Sequence, residues 1–152
     1  MTDIIGALIG APDGSHVAGL RAQRPEILAH TQGYHDVLLS PGDPGGLGLP
    51  ERAAIALRAA ELANHPELTA HYRALAAARG PVAPSPRWDA ALAHAEMVAT
   101  APAQASRARI DALRALGWAP RDIVALTQIV AYVAYQTRAA RGLALLVRSP
   151  AP

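Results

Sequence analysis

Residues 49–80 read LPERAAIALRAAELANHPELTAHYRALAAARG, and this stretch decides the fold. Glu51 stands in the first turn of a helix, where a carboxylate complements the helix dipole. Ile55, Ala59 and Leu62 return at helical spacing on one face. Pro66 cannot continue that helix but can open another, because its fixed φ and missing N–H suit a first helical position. Asn64 or His65 is then the N-cap. The second run reaches Arg79, and Gly80-Pro81 ends it. Two helices meet at a corner, and nothing alternates in the manner of a strand.

The same punctuation divides the rest of the chain. Pro25 opens PEILAHTQGYHDVLL, with Ile27, Leu28, Val37 and Leu38 as its apolar residues, and the Pro/Gly-rich SPGDPGGLG from Ser40 to Gly48 is a loop. GPVAPSPR leads into a helix from about Trp88, with Ala91, Leu92, Ala95 and Val98 at helical spacing. Ser106 caps RARIDALRAL, and Gly117 ends it from the C′ position. The last helix runs from Pro120 to about Val147. Between Ile123 and Tyr135 only Thr127 and Gln128 interrupt its apolar run, which predicts a place at the centre of the bundle. The expectation is an all-α protein of about six to eight helices. It forms one structural domain on length.

Composition removes whole classes of function. The 152 residues include no Cys, which excludes disulfides, thiolate metal sites and a cysteine nucleophile. There is no Phe and little aromatic content, so the core is built from Ala, Leu, Ile and Val, which favours close-packed helices. The formal charge is +2, every basic residue is Arg, and these are scattered from Arg21 to Arg148. A nucleic-acid binder concentrates such charge in a stripe, so none is expected as partner. The start, MTDIIGALIGAPDGS, has no basic n-region and carries Asp3, and no run of about 18 apolar residues occurs. No membrane partner and a cytoplasmic location are expected. IDALRALGWAPRDIVALTQIVAY imitates a helix-turn-helix, but its second helix is too apolar to face phosphates. PGDPGGLG follows no strand and lacks Lys-Ser/Thr, so it is no phosphate loop.

The chemistry-bearing residues gather near Pro66: His65, Glu67, His71 and Tyr72, with Arg58 on the helix before. Glu61/His65 and Glu67/His71 are both i, i+4 pairs. The first approximates a metal pair but lacks the His-Glu-x-x-His pattern and a third ligand. Capping and surface ion pairing is the preferred reading, and neither a metal nor a cofactor is expected. His30 and His35 share a face poorly and are assigned to solvent or a subunit contact. His94 is expected as a partly buried structural histidine. Tyr132, Tyr135 and Gln136 each need a partner for a polar tip on an apolar helix, as core, subunit-contact or pocket residues. Trp88 and Trp118 are expected to anchor helix ends.

With the helices placed, the chain resembles the AhpD-like, or carboxymuconolactone decarboxylase, family of small helical proteins. The resemblance runs from LPERAAIALRAAEL through HPELTAHY to ALAHAEMVATAPAQASRARIDALRALGWAPRDIVALTQIVAYVAYQTRAARGLALL, about two-thirds of the domain. It implies a helical extension over 1–47 packing on a core over 48–148. Peroxidase members of that family carry Cys-x-x-Cys at the start of the helix after the corner, where the helix N-terminus stabilises the thiolate. On this sequence the two thiol positions fall on His65 and Leu68. The relay glutamate falls on Ala53, the histidine between the cysteines on Glu67, and the following histidine pair on His71 and Tyr72. Only His71 survives in kind, so thiol peroxidase activity is not expected.

Three functions stay open on this reading. The first is acid/base chemistry on, or binding of, a small organic molecule, with His65, Glu67, His71 and Tyr72 as candidate catalytic residues. The second is a decarboxylase or isomerase of the carboxymuconolactone type, which needs acid/base groups and a positive anchor rather than thiols. The third is a non-catalytic binding or assembly subunit. The resemblance also implies a homo-oligomer, a trimer or hexamer.

Overall fold

The computed structural model describes residues 4–11 and 15–148. Asp3 and part of the N-terminal stretch read for a signal lie outside the described residues. Among those described, eight α-helices follow in order: α1 Ile4–Leu8, α2 His16–Ala22, α3 Pro25–Leu39, α4 Leu49–Leu62, α5 Pro66–Arg79, α6 Pro86–Thr100, α7 Arg107–Ala115 and α8 Pro120–Arg148. A single 3-10 turn, Pro102–Gln104, joins α6 to α7, and the described residues contain no strand. The all-α expectation holds.

The corner between α4 and α5 is built by its sequence. Asn64 takes a left-handed φ of 53°, its N–H donates to Glu61 O, and the His65 N–H donates to Ala60 O. This is the paired 5→2 and 6→1 closure that ends a helix, and Asn is among the few residues other than Gly that tolerate its geometry. His65 then caps α5, with Pro66 at the first helical position. The cap is His65 and not Asn64, because Asn64 is spent on ending α4. Arg141 from α8 donates to the two carbonyls left over, Ala63 O at 2.8 Å and Asn64 O at 3.0 Å. Gly117 repeats the same closure after α7, with φ 85° and the buried Trp118 following it. The α6 helix begins at Pro86, capped by Ser85, two residues before the Trp88 expected from spacing.

Helices α4 and α5 pair most extensively, and α8 packs against α1, α2, α3, α4, α6 and α7. Small residues let backbones approach: Ala53, Ala56, Ala59 and Ala60 on α4 are buried, as are Ala91 and Ala95 on α6. Along α8 the buried positions Ile123, Leu126, Ile129, Val130, Val133 and Ala140 fall on one helical stripe. The opposite face leaves Val124 and Tyr135 about half exposed, so α8 is central in contacts without being enclosed. The expected central place in the bundle holds, with one face left open.

The loop from Ser40 to Gly48 is held by side chains from three helices, α4, α6 and α8. Buried Arg52 donates to Leu38 O at 2.7 Å, Leu47 O at 2.8 Å and Pro44 O at 2.9 Å. Buried Asp122 accepts from Gly46 N at 3.0 Å, and a Cβ at Gly46 would lie 2.5 Å from its Oδ2. Arg87 donates to Gly46 O at 2.9 Å while its guanidinium lies 3.4 Å over the Trp118 ring. Trp118 in turn donates its indole N–H to Arg87 O. Arg121 reaches Asp43 at 3.0 Å. The loop that imitates a phosphate cradle therefore has its backbone bound by the protein itself.

Candidate functional site

The four candidate residues divide between two cavities and the core. His65 sits at the corner with its ring buried. Its Nδ1 lies 3.4 Å from Leu68 N and 3.2 Å from Glu67 Oε2. One nitrogen cannot serve both at once. Without a proton it accepts the Leu68 N–H as a cap; with one it donates to Glu67. Beside it lies a cavity of about 520 Å³ walled by Leu8, Pro66, Glu67, Arg141 and Leu145. Glu61, the other partner proposed for His65 by spacing, pairs with Arg58 and Arg73 instead.

His71 faces away from that corner. It lines a second cavity of about 520 Å³ between α1, α3 and α5, together with Gln32, His35 and Glu67. The apolar wall comes from Ile4, Ala7 and Leu8 of α1 and Ala70 of α5. Leu8 and Glu67 belong to both cavities, which flank the end of α1. The His35 and His71 rings stand 6.1 Å apart between centroids. Three buried polar atoms around this cavity have no partner: Gln32 Oε1, His35 Nε2 and His71 Nε2. Burial first, and then the neighbouring His35, hold the His71 pKa below the usual histidine value, so its neutral form is favoured.

His35 is ordered from its other side. Its Nδ1 lies 3.0 Å from Asp36 Oδ1, which also accepts from Gln32 Nε2 at 2.9 Å. The hydrogen bond from His35 is the largest of the causes that lower the Asp36 pKa. The His35 side chain is only 16% exposed, so its assignment to solvent is corrected. Its signal in the sequence was the Gln32–His35–Asp36 cluster, where i, i+4 spacing brings Gln32 back over Asp36. That α3 and α5 would face one cavity and bring the His35 ring within 6.1 Å of His71 was not written locally.

Tyr72 lines neither cavity. It is wholly buried and donates to Gln136 Oε1 at 2.5 Å across the core. Burial, chiefly, raises its pKa, so the phenol stays protonated. Ala53, at the relay position, is buried on α4, and Leu68, at the second thiol position, is fully buried. Among the described residues no group of three or more His, Asp or Glu is placed to hold a metal ion. His94 is a buried histidine whose Nε2 meets Thr127 Oγ1 at 3.3 Å. Tyr132 donates to Thr31 O at 3.0 Å, and the Tyr135 hydroxyl lies 3.3 Å from Thr31 Oγ1.

No family model matches the sequence, and no curated protein does. Among solved structures the chain is similar to the alkylhydroperoxidase AhpD core, an uncharacterized peroxidase-related protein from Ralstonia eutropha JMP134. The TM-score is 0.58 at 24% identity, over 80% of this chain and 70% of that one. This chain has an AhpD-like fold. With no cysteine anywhere, an AhpD-like fold stands here without the atoms of a thiol cycle. At the corner of this AhpD-like fold a histidine cap takes the place where the resemblance sets a thiol.

Proposed function

We propose that the protein binds a small organic molecule in the α1–α3–α5 cavity and acts on it by acid/base chemistry, with His35 and His71 as the working groups. One observation carries this reading: three buried polar atoms without partners, on Gln32, His35 and His71, belong to side chains that line a single cavity. An unpaired buried polar atom costs about 1–3 kcal/mol. His94 Nδ1 and Gln136 Nε2 are left unpaired elsewhere, but only these three gather on side chains that line one cavity among the described residues. A neutral imidazole beside a partly apolar cavity is a general base in the form that catalysis needs. Glu67, in the same wall, is the second acid/base group. His65 and Tyr72 take structural roles in this proposal, as helix cap and core hydrogen-bond donor.

The test is a screen of small organic compounds for turnover or mass change, repeated with His71→Ala and His35→Ala. Loss of the detected activity in both, with an unchanged unfolding midpoint, supports the proposal. Activity that survives both substitutions sinks it.

The carboxymuconolactone-type reaction stays as the second catalytic reading, and its lactone-acid substrate belongs in the same screen. A homo-oligomer is favoured by the exposed apolar residues Ile27, Tyr34 and Val37 on α3 and Val124 and Tyr135 on α8. Sedimentation analysis decides it, since a monomer at working concentration ends that part. No helix among the described residues is long and apolar enough to cross a membrane, and a cytoplasmic location is part of the proposal.

A further inference from the structure

We propose that the α1–α3–α5 cavity selects a small organic amine in its ammonium form, with the apolar body of the ligand against α1. The inference rests on the preceding reading of the cavity as a ligand site and adds the class of ligand.

Its starting point is Asp36. An ionised carboxylate only accepts hydrogen bonds, so both groups that meet its Oδ1 must donate. Gln32 therefore turns its amide nitrogen to Asp36, at 2.9 Å, and keeps its carbonyl oxygen Oε1 for elsewhere. His35 likewise carries its proton on Nδ1, at 3.0 Å from the same oxygen, which leaves Nε2 of the neutral ring as a bare acceptor. These two freed atoms, Gln32 Oε1 and His35 Nε2, are two of the three buried atoms that lack a partner. One exposed carboxylate thus sets the polarity of two side chains on the cavity wall. Glu67 adds a third acceptor, and it is anionic. No Arg is among the described residues that line the cavity, so none of them offers a fixed positive charge to an anion.

The ligand that fits must bring donors, more than one, and preferably positive charge. An ammonium group has three N–H donors and no acceptor. A carboxylate would meet Glu67 as a like charge and would find Gln32 Oε1 turned the wrong way. Ile4, Ala7 and Leu8 give the remaining wall to a hydrocarbon ring or short chain, in a volume of about 520 Å³.

The test titrates the full ¹⁵N-labelled chain at pH 8 with three matched probes: 2-phenylethylamine, 2-phenylethanol and 3-phenylpropionate. The amine is expected to move the resonances of Gln32, His35, Glu67 and His71 and to bind at least about tenfold more tightly than either other probe. Glu67→Gln should weaken the amine about tenfold with the unfolding midpoint unchanged. Long-range ¹H–¹⁵N spectra should find His35 in its Nδ1–H tautomer, and Asp36→Asn should release that preference. Binding of the acid or the alcohol as tightly as the amine overturns the ammonium assignment while leaving the cavity a ligand site. An Nε2–H tautomer for His35 also overturns it. If no probe moves the cavity resonances, both the assignment and the underlying site reading fail.

Discussion

The loop from Ser40 to Gly48 and the cavity under α1 are both rich in polar groups, and they treat them in opposite ways. At the loop, Arg52, Asp122, Arg87 and Arg121 bind backbone and side-chain atoms until the segment is fixed. At the cavity, Gln32, His35 and His71 each keep a buried atom without a partner. Buried polar atoms that the chain pairs with itself report folding. His94 Nδ1 and Gln136 Nε2 are unpaired too, so it is the gathering of three such atoms on the residues of one cavity that supports the proposed site.

The largest effect should come from the loop. Arg52→Ala deserts three carbonyls and is expected to cost about 3–5 kcal/mol, read as a drop in the urea midpoint at constant m. Arg52→Lys should recover little of it, since an ammonium lacks the planar fork that reaches Leu38, Pro44 and Leu47 together. Gly46→Ala should cost about 1–3 kcal/mol by the same measurement, because its Cβ collides with the Asp122 carboxylate. A loop that tolerated all three would not be the structural region of this comparison.

The core pair sharpens the rule. Tyr72→Phe leaves Gln136 Oε1 buried without its donor and should cost about 1–3 kcal/mol. Adding Gln136→Leu should return part of that, since removing both partners leaves nothing unpaired.

The pH dependence is smaller. Burial holds the pKa values of His71 and His94 below the ordinary 6.5. The unfolded chain therefore binds protons first as pH falls. Stability is fully present above about pH 6.5 and is lost as pH drops through the lower folded values. Urea midpoints between pH 8 and 5 check the sign; a midpoint that rose on acidification would contradict it. The smallest effect belongs to the cavity. His71→Leu should stay within about 1 kcal/mol of the parent, because it removes an unpaired atom. His35→Leu also loses the hydrogen bond to the exposed Asp36 and should cost about 0.5–1.5 kcal/mol. A loss as large as that of Arg52→Ala would erase the distinction between the two regions.

The fold was legible because its signals are local. Pro25, Pro66 and Pro120 open helices, while Ser106 caps one and Gly117 ends one. The short α1 and α2 and the half-exposed face of α8 were not, since both depend on what packs against them. Of the four candidate residues, the structure brings only two together. His71 and Glu67 stand on the wall of one cavity, but His65 is taken up in capping and Tyr72 in the core. His35 was missed because its meaning comes from α3 lying near α5, 36 residues away along the chain from His35 to His71. Arg52 was missed for the same reason: nothing local says that an arginine in an alanine-rich helix will point inward at three carbonyls.

The most direct measurement maps, by chemical-shift changes in the labelled protein, where small amines, alcohols and acids bind. The account predicts one cluster of shifts, on residues 32–36 and 67–71, with the loop over 40–48 unmoved. Ligands that settle only at the His65 corner, or that move nothing beneath α1, would contradict it.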